Sequence, residues 1–444
     1  MNRQAATPKG FERRVRDLEL SQVAEPRQRA KIKIPLQTVL VALVASMVTR
    51  ARSLRAAEQR TAAIAAKHSC WLGLRRRIAD NSFGKVLSKL SFASVLLCLH
   101  RLVKAEHRRG NLKPSLLTVG TAAIDGKNIG TLHWHDLCRV LGLDAQLAST
   151  GQVKALLRDR FPDAQLCAPE GADPYALMRA HTVTLVSSEA APCIHLRPIA
   201  GSTNEIGSMS DLLDELNAVY GRSGLFGRIT TDAGNTSLGA MSKAIQHGWH
   251  YFAQIKTEHA DLYAEAERHL GDRRRQRSHA SHADTQNGKV VTYHLWRYDL
   301  TDCGWLHWTH ARQLFRVQRV AEDPATGKKS VGNRYYVSSE TPEQLPPSAA
   351  LKVSRAHWRC EDETHWTADT QMLEDRRRLA WSRHPNGILV VSVLRMIAIA
   401  ILAVARRLSR TGYSRETPSW GQVAEHFLLE LCGSTLNTKA FDTV

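Results

Sequence analysis

The alternation of strand-type and helix-type segments in the middle of the chain constrains its fold more than any other feature. Five runs rich in apolar and β-branched residues lie at 116–125, 181–187, 193–199, 226–232 and 249–256. Helix-forming segments separate the third run from the fourth and the fourth from the fifth, and the second of these segments closes at Gly248. Helices that alternate with strands in this way predict an α/β sheet that is covered on at least one face.

Residues 1–112 lack strand patterns and predict a helical N-terminal domain. Pro35 can start a helix at Leu36, and Ser53 can cap a second one. A third helix is predicted over 82–105. Basic residues around these short helices allow a helix-turn-helix-like contact with DNA, and a solvated helical bundle explains them equally well.

The rest of the chain divides by composition into three further parts. A basic segment broken by Gly and Pro at 107–114 marks a linker, so the α/β part is predicted to span 113–262. Short aromatic and β-branched runs, punctuated by Pro and Gly, predict a β-rich part over 263–345. The remaining part, 346–444, is predicted to be mainly helical.

A segment dense in Trp, His and carboxylates, 355–375, predicts one uninterrupted helix because it contains no Pro or Gly. At about 100° per residue, Glu361 falls on the apolar side and should face the core. A buried carboxylate needs a partner, which is a proton, a cationic side chain or a metal ion. His357, Glu361 and His365 are spaced by four residues, so the helix also allows a zinc or iron site, although it lacks an HExxH motif.

Two of the strand-type runs end in aspartate, Asp125 and Asp232, and with Glu361 they form a candidate acidic site. These residues are far apart in the sequence, so only the fold can bring them together. Three carboxylates at one sheet edge repel each other unless cations lie between them, and hard oxygen ligands suit Mg²⁺ or Mn²⁺. Two such ions can promote phosphoryl transfer. Aspartate is also common at strand ends as a turn residue, so the pattern alone leaves both interpretations open.

The charge of the chain favours a polyanionic partner. Lys and Arg number 61 against 42 Asp and Glu, which gives a formal net charge of +19. Nucleic acid is the first candidate partner and an anionic membrane surface the second. Lys127 and Lys256 each lie close to the end of a strand-type run, where they can contact phosphate or simply face solvent.

Cysteine usage and the apolar runs predict a cytoplasmic protein that does not cross a membrane. Eight cysteines are scattered without a CxxC pair, which argues against a zinc ribbon or a disulfide scaffold and fits a reducing compartment. The N-terminal segment has no apolar signal core. The run 35–48 is too short to span a bilayer, and the run 388–404 carries Arg395 at its centre, so both predict buried helices.

Six blocks of the sequence occur in an order that is typical of one protein family. They are AIDGK at 123–127, STNEI at 202–206, ITTDAGNTS at 229–237, YFAQIK at 251–256, YYVSS at 335–339 and RAHWRCEDETHWTADTQMLED at 355–375. The blocks resemble those of bacterial insertion-sequence DDE transposases, in the group that contains the H-repeat-associated proteins. The last block is similar to the family pattern R-x-H-W-x-I-E-N, followed by H-W-x-x-D and E-D. It departs from that pattern at two positions, Cys360 and Asp362, where the family has an aliphatic residue and asparagine.

This resemblance implies a ribonuclease H-like mixed sheet with a helical N-terminal domain and a β-rich insertion before the helix of the catalytic glutamate. Asp125, Asp232 and Glu361 match the family's catalytic residues and would bind Mg²⁺, with Mn²⁺ as a substitute. The implied reaction cuts the ends of a mobile element in double-stranded DNA and joins them to target DNA. A homo-oligomer is expected, and on DNA a dimer.

Three charged residues, Lys127, Lys256 and Arg355, match positions in the family's motifs, and we expect them to contact DNA phosphates. Two alternatives stay open at this stage. One is a catalytically inactive DNA-binding derivative of such an element. The other is a metal-dependent nuclease that hydrolyses DNA without joining it to a target.

Overall fold

The N-terminal part of the chain is helical. The computed structural model describes residues 8–271, 277–301, 303–374, 381–409 and 417–433. The first helices are α1 (Pro8–Asp17), α2 (Leu36–Val48), α3 (Leu54–Lys67), α4 (Asp80–Leu87) and α5 (Phe92–Arg108).

Local capping explains where two of these helices begin. Ser53 accepts a hydrogen bond from the backbone N–H of Ala56 at 3.1 Å, so the predicted N-cap of α3 is confirmed. The single helix predicted over 82–105 is wrong, because α4 and α5 are separate helices bent by 98°. Ser91 caps α5 by accepting a hydrogen bond from the backbone N–H of Ser94, which gives the second helix a start of its own.

The described strands form one mixed sheet. They are β1 (Thr121–His133), β2 (Ala164–Cys167), β3 (Tyr175–Thr184), β4 (Cys193–Ile199), β5 (Arg228–Thr231), β6 (His250–Ile255), β7 (Ala280–Gln286), β8 (Lys289–Asp299), β9 (Gln313–Glu322) and β10 (Lys329–Ser338). Their order is β2-β3-β1-β5-β6-β10-β9-β8-β7, and β4 also pairs with β3. β1, β5 and β6 are parallel neighbours, and the other pairs are antiparallel.

Helices follow or separate these strands. They are α6 (Trp134–Leu141), α7 (Thr150–Arg160), α8 (Glu205–Tyr220), α9 (Leu238–Gln246), α10 (Ala260–Leu270), α11 (Pro347–His357), α12 (Trp366–Thr370), α13 (Pro385–Leu408) and α14 (Trp420–Cys432). The result is a mixed α/β architecture, consistent with the expected ribonuclease H-like sheet. β7 to β10 lie within the part of the sequence that is predicted to be β-rich.

Among the described residues, two apolar cores cover the sheet. The larger one joins the N-terminal helices and α13 to β1, β3 and β4. The smaller one packs α11 against β6, β9 and β10, with Val353 of the helix in the same buried cluster as Phe252, Phe315 and Tyr336 of the strands. Phe252 stacks on Tyr336 with ring centroids 4.9 Å apart. α11 is therefore held directly on β6 and on two strands of the β-rich part.

The longest helix, α13, is central to the larger core. It is apolar and long enough to cross a membrane, but the apolar stretch is completely buried inside the protein, as in the core helix of a soluble protein. Arg395 within it forms an ion pair with Glu374 at 3.0 Å. The predicted buried helix around Arg395 is thus confirmed. The charge of Arg395 is neutralised within the core by Glu374.

Candidate active site

Asp125 and Asp232 lie at the same level on neighbouring strands. β1 and β5 are parallel, and Ile124 is paired with Thr231. The two aspartates are the next residue along each strand, and neighbouring strands are about 4.8 Å apart. β1 continues to His133 through its pairing with β3, so the prediction that this strand ends at Asp125 is wrong.

Three side-chain hydrogen bonds hold the segment that carries Glu361 against the sheet. They join His357 to Thr230 at 2.9 Å, Thr364 to Thr184 at 2.9 Å, and His365 to Thr182 at 2.7 Å. Thr182 is the cross-strand partner of Asp125, and Thr230 lies two residues before Asp232. Each histidine therefore anchors the segment beside one of the aspartates.

The helix around Glu361 differs from the one that the sequence predicts. α11 ends at His357, and Cys360–His365 forms a π-helical turn before α12 begins. A π turn changes the angular spacing of side chains, and such turns are frequent at functional sites. Glu361 is exposed, and Cys360 takes the buried position instead. The prediction of one regular helix with an inward-facing Glu361 is therefore wrong.

Nearby negative charges raise the pKa of several carboxylates at this edge. Burial, followed by the negative charges of Asp232 and Glu361, raises the pKa of Asp125 to about 7. Burial and Asp232 also raise the pKa of Glu205. Carboxylates affect each other in this way only when they are close and share a poorly solvated region. The fold therefore brings Asp125, Asp232 and Glu361 into one electrostatically coupled group.

Glu361 is the outermost member of this group. Partial burial of its carboxyl group and the neighbouring Asp362 raise its pKa, and the positive charge of Arg334 opposes that shift. Asp362 stands where the resembled family has asparagine, so it adds a negative charge that the family pattern does not carry. Its own pKa is raised by burial and by Glu363.

Glu205 is a fourth carboxylate of the site, and the sequence patterns do not single it out. It begins α8, and its carboxyl group occupies the space that a side chain at Gly126 would need. Because Gly126 directly follows Asp125, the missing side chain is what lets Glu205 approach. Its place in the STNEI block is the one signal that could have indicated it.

Hydrogen bonds orient both aspartates. Asp125 Oδ1 accepts a bond from the backbone N–H of Gly126 at 2.8 Å, and the Cys360 thiol lies 3.8 Å from Oδ2. Asp232 Oδ1 accepts bonds from the backbone N–H of Asn235 at 3.1 Å and from its side-chain amide at 2.7 Å. Both bonds to Asp232 go to the same oxygen.

The two histidines beside the carboxylates are neutral at pH 7. Burial lowers the pKa of His365 to about 3 and that of His357 to about 4. His365 Nδ1 lies 3.6 Å from Asp125 Oδ2, and because the ring is uncharged this contact is not an ion pair. The histidines bond to different strands, so the geometry does not support a zinc or iron site built from His357, Glu361 and His365.

The acidic group suits a hard divalent cation by its chemistry. Its donors are carboxylate oxygens, and their mutual repulsion is what a bound cation would relieve. In the described parts of the chain, however, no group of three or more His, Cys, Asp or Glu side chains is arranged closely enough to hold a metal ion.

Lys127 lies inside an ion-pair network and not on the surface. Its ammonium group is 2.6 Å from Asp369 and 3.8 Å from Glu374, and its side chain is only 7% exposed. Glu374 is also paired with Arg395 and accepts a hydrogen bond from Ser392 at 2.9 Å. A contact between Lys127 and a DNA phosphate would require this network to open.

The other two predicted phosphate ligands are more accessible. Lys256 is exposed after β6 and lines a cavity of about 470 Å³ together with Gly234 and Trp308, next to Asp232. Arg355 forms an ion pair with Asp284 at 3.2 Å. The three predicted cations therefore occupy three different environments.

Comparison with known protein families gives a match that covers most of the strands described above. A family model described as a transposase DDE domain matches residues 139–391, which is more than half of the chain. The match includes Asp232 and Glu361 and begins after Asp125, which lies beside Asp232 on the neighbouring strand. No curated protein matches the chain.

Proposed function

The chain belongs to the family of transposases with a DDE domain, and from this membership we propose that it cuts the ends of an insertion sequence and joins them to target DNA. The observation that carries the proposal is the electrostatic coupling of Asp125, Asp232 and Glu361 at one sheet edge. The H-repeat-associated group is the subgroup that its sequence blocks favour.

We assign the metal-binding and catalytic roles to the three coupled carboxylates. Asp125 and Asp232 would hold Mg²⁺, or Mn²⁺ in its place, and Glu361 would complete the site. Bound divalent ions activate an attacking oxygen and stabilise the leaving oxygen in phosphoryl transfer. The high pKa of Asp125 means that its proton must leave before the carboxylate can bind a cation.

The chain's own contribution is to position charged groups. The hydrogen bonds of His357 to Thr230 on β5 and of His365 to Thr182 on β3 fix the Glu361 segment to the sheet. Neutral histidines serve this purpose without adding positive charge that would compete with a cation. Catalysis of this kind depends mainly on positioning and charge stabilisation.

DNA is the partner that the family implies, and double-stranded element ends and target DNA are the proposed substrates. The net charge of +19 supports binding to the phosphate backbone. Lys256 and Arg355 are proposed to contact phosphates, and Lys127 to do so only when its ion pairs open. The protein is proposed to act in the cytoplasm of a bacterium, as a homo-oligomer that forms a dimer on two DNA ends.

A cutting and joining assay tests the function. Duplexes that carry the element's own terminal repeats are incubated with Mg²⁺ and either the wild-type protein or the Asp232→Asn and Glu361→Gln variants. The wild type should cut and join, and both variants should lose both steps. The matched control is Asp159→Asn, which removes an exposed carboxylate on α7 and should leave both steps unchanged.

The same assay separates the alternatives. Cutting without joining would indicate a metal-dependent nuclease. DNA binding without any cutting would indicate an inactive derivative of an element. Full cutting and joining by Asp232→Asn would show that the coupled carboxylates are not the catalytic group.

A further inference from the structure

A large cleft opens beside Glu361, between α11 and the strands β8, β9 and β10. Its volume is about 1130 Å³, and Glu361 and Asp362 are among its lining residues. Five basic side chains line the same cleft: Arg319, Arg334, Lys352, Arg355 and Arg359. The cleft is therefore a basic groove that meets the acidic group at Glu361, and Arg355 is the one of these cations to which the proposed function gives a role.

The helix wall of the cleft carries positive charges before Glu361. Lys352 and Arg355 are three residues apart on α11, so they lie on one helical face. Arg359 follows the end of α11, and its guanidinium group donates hydrogen bonds to three backbone carbonyls. Lys352 is exposed, so it is the cation of this wall that is most open to a polyanion.

The sheet wall carries two more arginines on one face. Arg319 of β9 is the cross-strand partner of Gly332 on β10, and Arg334 is two residues further along the same strand. Side chains two residues apart on a strand share a face, so both guanidinium groups line the cleft. Gly332 between them adds no side chain, and a Cβ built there would meet open space.

Arg334 is a cation of the cleft whose charge acts on the carboxyl group of Glu361. It is exposed, and its guanidinium carbon lies 4.0 Å from the ring centroid of Trp358. Arg355 packs similarly on Tyr293 at 5.1 Å. Contact with an aromatic ring restrains each guanidinium group, and guanidinium planes can stack on unpaired bases as well as bind phosphate.

We propose that this cleft binds a single, unpaired DNA strand and leads it to Glu361. The inference rests on the proposed function, because that function names DNA as the partner of the protein. Rings and arginines within one basic groove are the combination that binds single-stranded nucleic acid, whereas duplex binding through the backbone does not need rings. Arg334 and Arg319 bind neighbouring phosphates, and Arg355 joins them when its ion pair with Asp284 opens.

Binding to labelled oligothymidine tests the proposal without catalysis. Fluorescence anisotropy of the full-length protein is measured in EDTA, with an oligothymidine of about 12 nucleotides and with a mixed-sequence duplex of matched length. The double variant Arg319→Ala/Arg334→Ala should bind oligothymidine about 10-fold more weakly at low salt and the duplex almost as before. Its salt dependence should flatten by about 1.4 in slope, the value for two lost phosphate contacts on a single strand.

Three further variants sharpen the test. Arg158→Ala removes an exposed arginine on α7, which packs on β2 at the opposite end of the sheet, and should bind both probes normally. Gly332→Leu should block the cleft and weaken oligothymidine binding, because the added side chain enters open space and leaves the strand intact. Asp284→Asn should strengthen binding about 2- to 3-fold, since it releases the partly buried Arg355 from its ion pair.

Two results would overturn the proposal. One is an equal loss of oligothymidine binding in Arg158→Ala and in the double variant. The other is a double variant that loses duplex binding as strongly as strand binding, which would make the cleft a duplex site. A protein that binds oligothymidine through the cleft but does not cut would refute the proposed function alone. A protein that cuts and joins while its cleft variants bind normally would refute this inference alone.

Discussion

Asp125 and Glu374 are both poorly exposed carboxylates, yet their surroundings are opposite. Glu374 is completely buried and lies between Arg395 at 3.0 Å and Lys127 at 3.8 Å. Asp125 faces Asp232, Glu361 and no cation in ion-pair contact within the described structure, and its pKa is raised to about 7. This protein therefore neutralises the carboxylate that lies in its core, and leaves Asp125 without a neutralising charge at the place where we propose that a cation binds.

The largest expected effect is on activity at Asp125. Asp125→Asn should reduce DNA cutting by roughly 10³-fold or more, since metal ions contribute several kcal/mol to such reactions. The folded protein should keep or gain stability, because the change removes a repelled negative charge. Cutting rates and thermal melting of the same preparation provide both measurements. A variant that cuts normally, or one that melts far below the wild type, would contradict this view of Asp125.

Glu374→Gln should have the opposite profile. It leaves Arg395 buried without its carboxylate, which should lower the free energy of unfolding by about 3–5 kcal/mol. Urea unfolding followed by circular dichroism measures this loss. Asp125→Asn is the matched control, as it also converts a poorly exposed carboxylate into an amide. Equal stability of the two variants would show that the pairing of Glu374 is unimportant.

The stability of the protein should depend on pH through Asp125. Asp125 has an ordinary pKa of 3.8 when unfolded and about 7 when folded, so the folded state holds the proton more tightly. Its contribution to stability is therefore present at low pH and is lost as the pH rises from about 4 to about 7. The loss should be on the order of a few kcal/mol, at about 1.4 kcal/mol per pKa unit.

This pH effect is measured as the difference between the wild type and Asp125→Asn. Unfolding free energies of the two proteins from pH 4 to pH 8 should converge towards pH 4 and diverge as the pH rises to about 7, with the wild type becoming less stable. Added Mg²⁺ should restore wild-type stability at high pH, because a cation replaces the lost proton. Parallel pH curves for the two proteins would show that Asp125 does not titrate in this range.

The smallest effect is expected for an ion pair at the surface. Lys329 and Glu322 are 3.1 Å apart, with side chains 59% and 43% exposed. Glu322→Gln should change the free energy of unfolding by less than about 1 kcal/mol, since solvent already screens this pair. The same urea titration gives the value. A loss as large as that of Glu374→Gln would mean that burial does not set the strength of these pairs.

Structural features that depend on residues close together in the chain could be predicted from the sequence. The strand-type runs, the cap at Ser53 and the buried helix around Arg395 all follow from local composition, and the structure contains them. The family blocks likewise indicated which carboxylates to compare. Predictions about orientation were less successful, as the inward-facing Glu361 shows.

Local periodicity and short motifs were enough to predict the order of the main strand-type segments and to single out Asp125, Asp232 and Glu361, because such patterns depend on residues close together in the chain. Which charges meet depends on the tertiary structure. It paired Lys127 with Asp369 and Glu374, brought Glu205 onto Gly126, and turned Glu361 outwards through a π-helical turn. These outcomes depend on residues far apart in the chain, and burial together with Coulomb interactions at short range sets them.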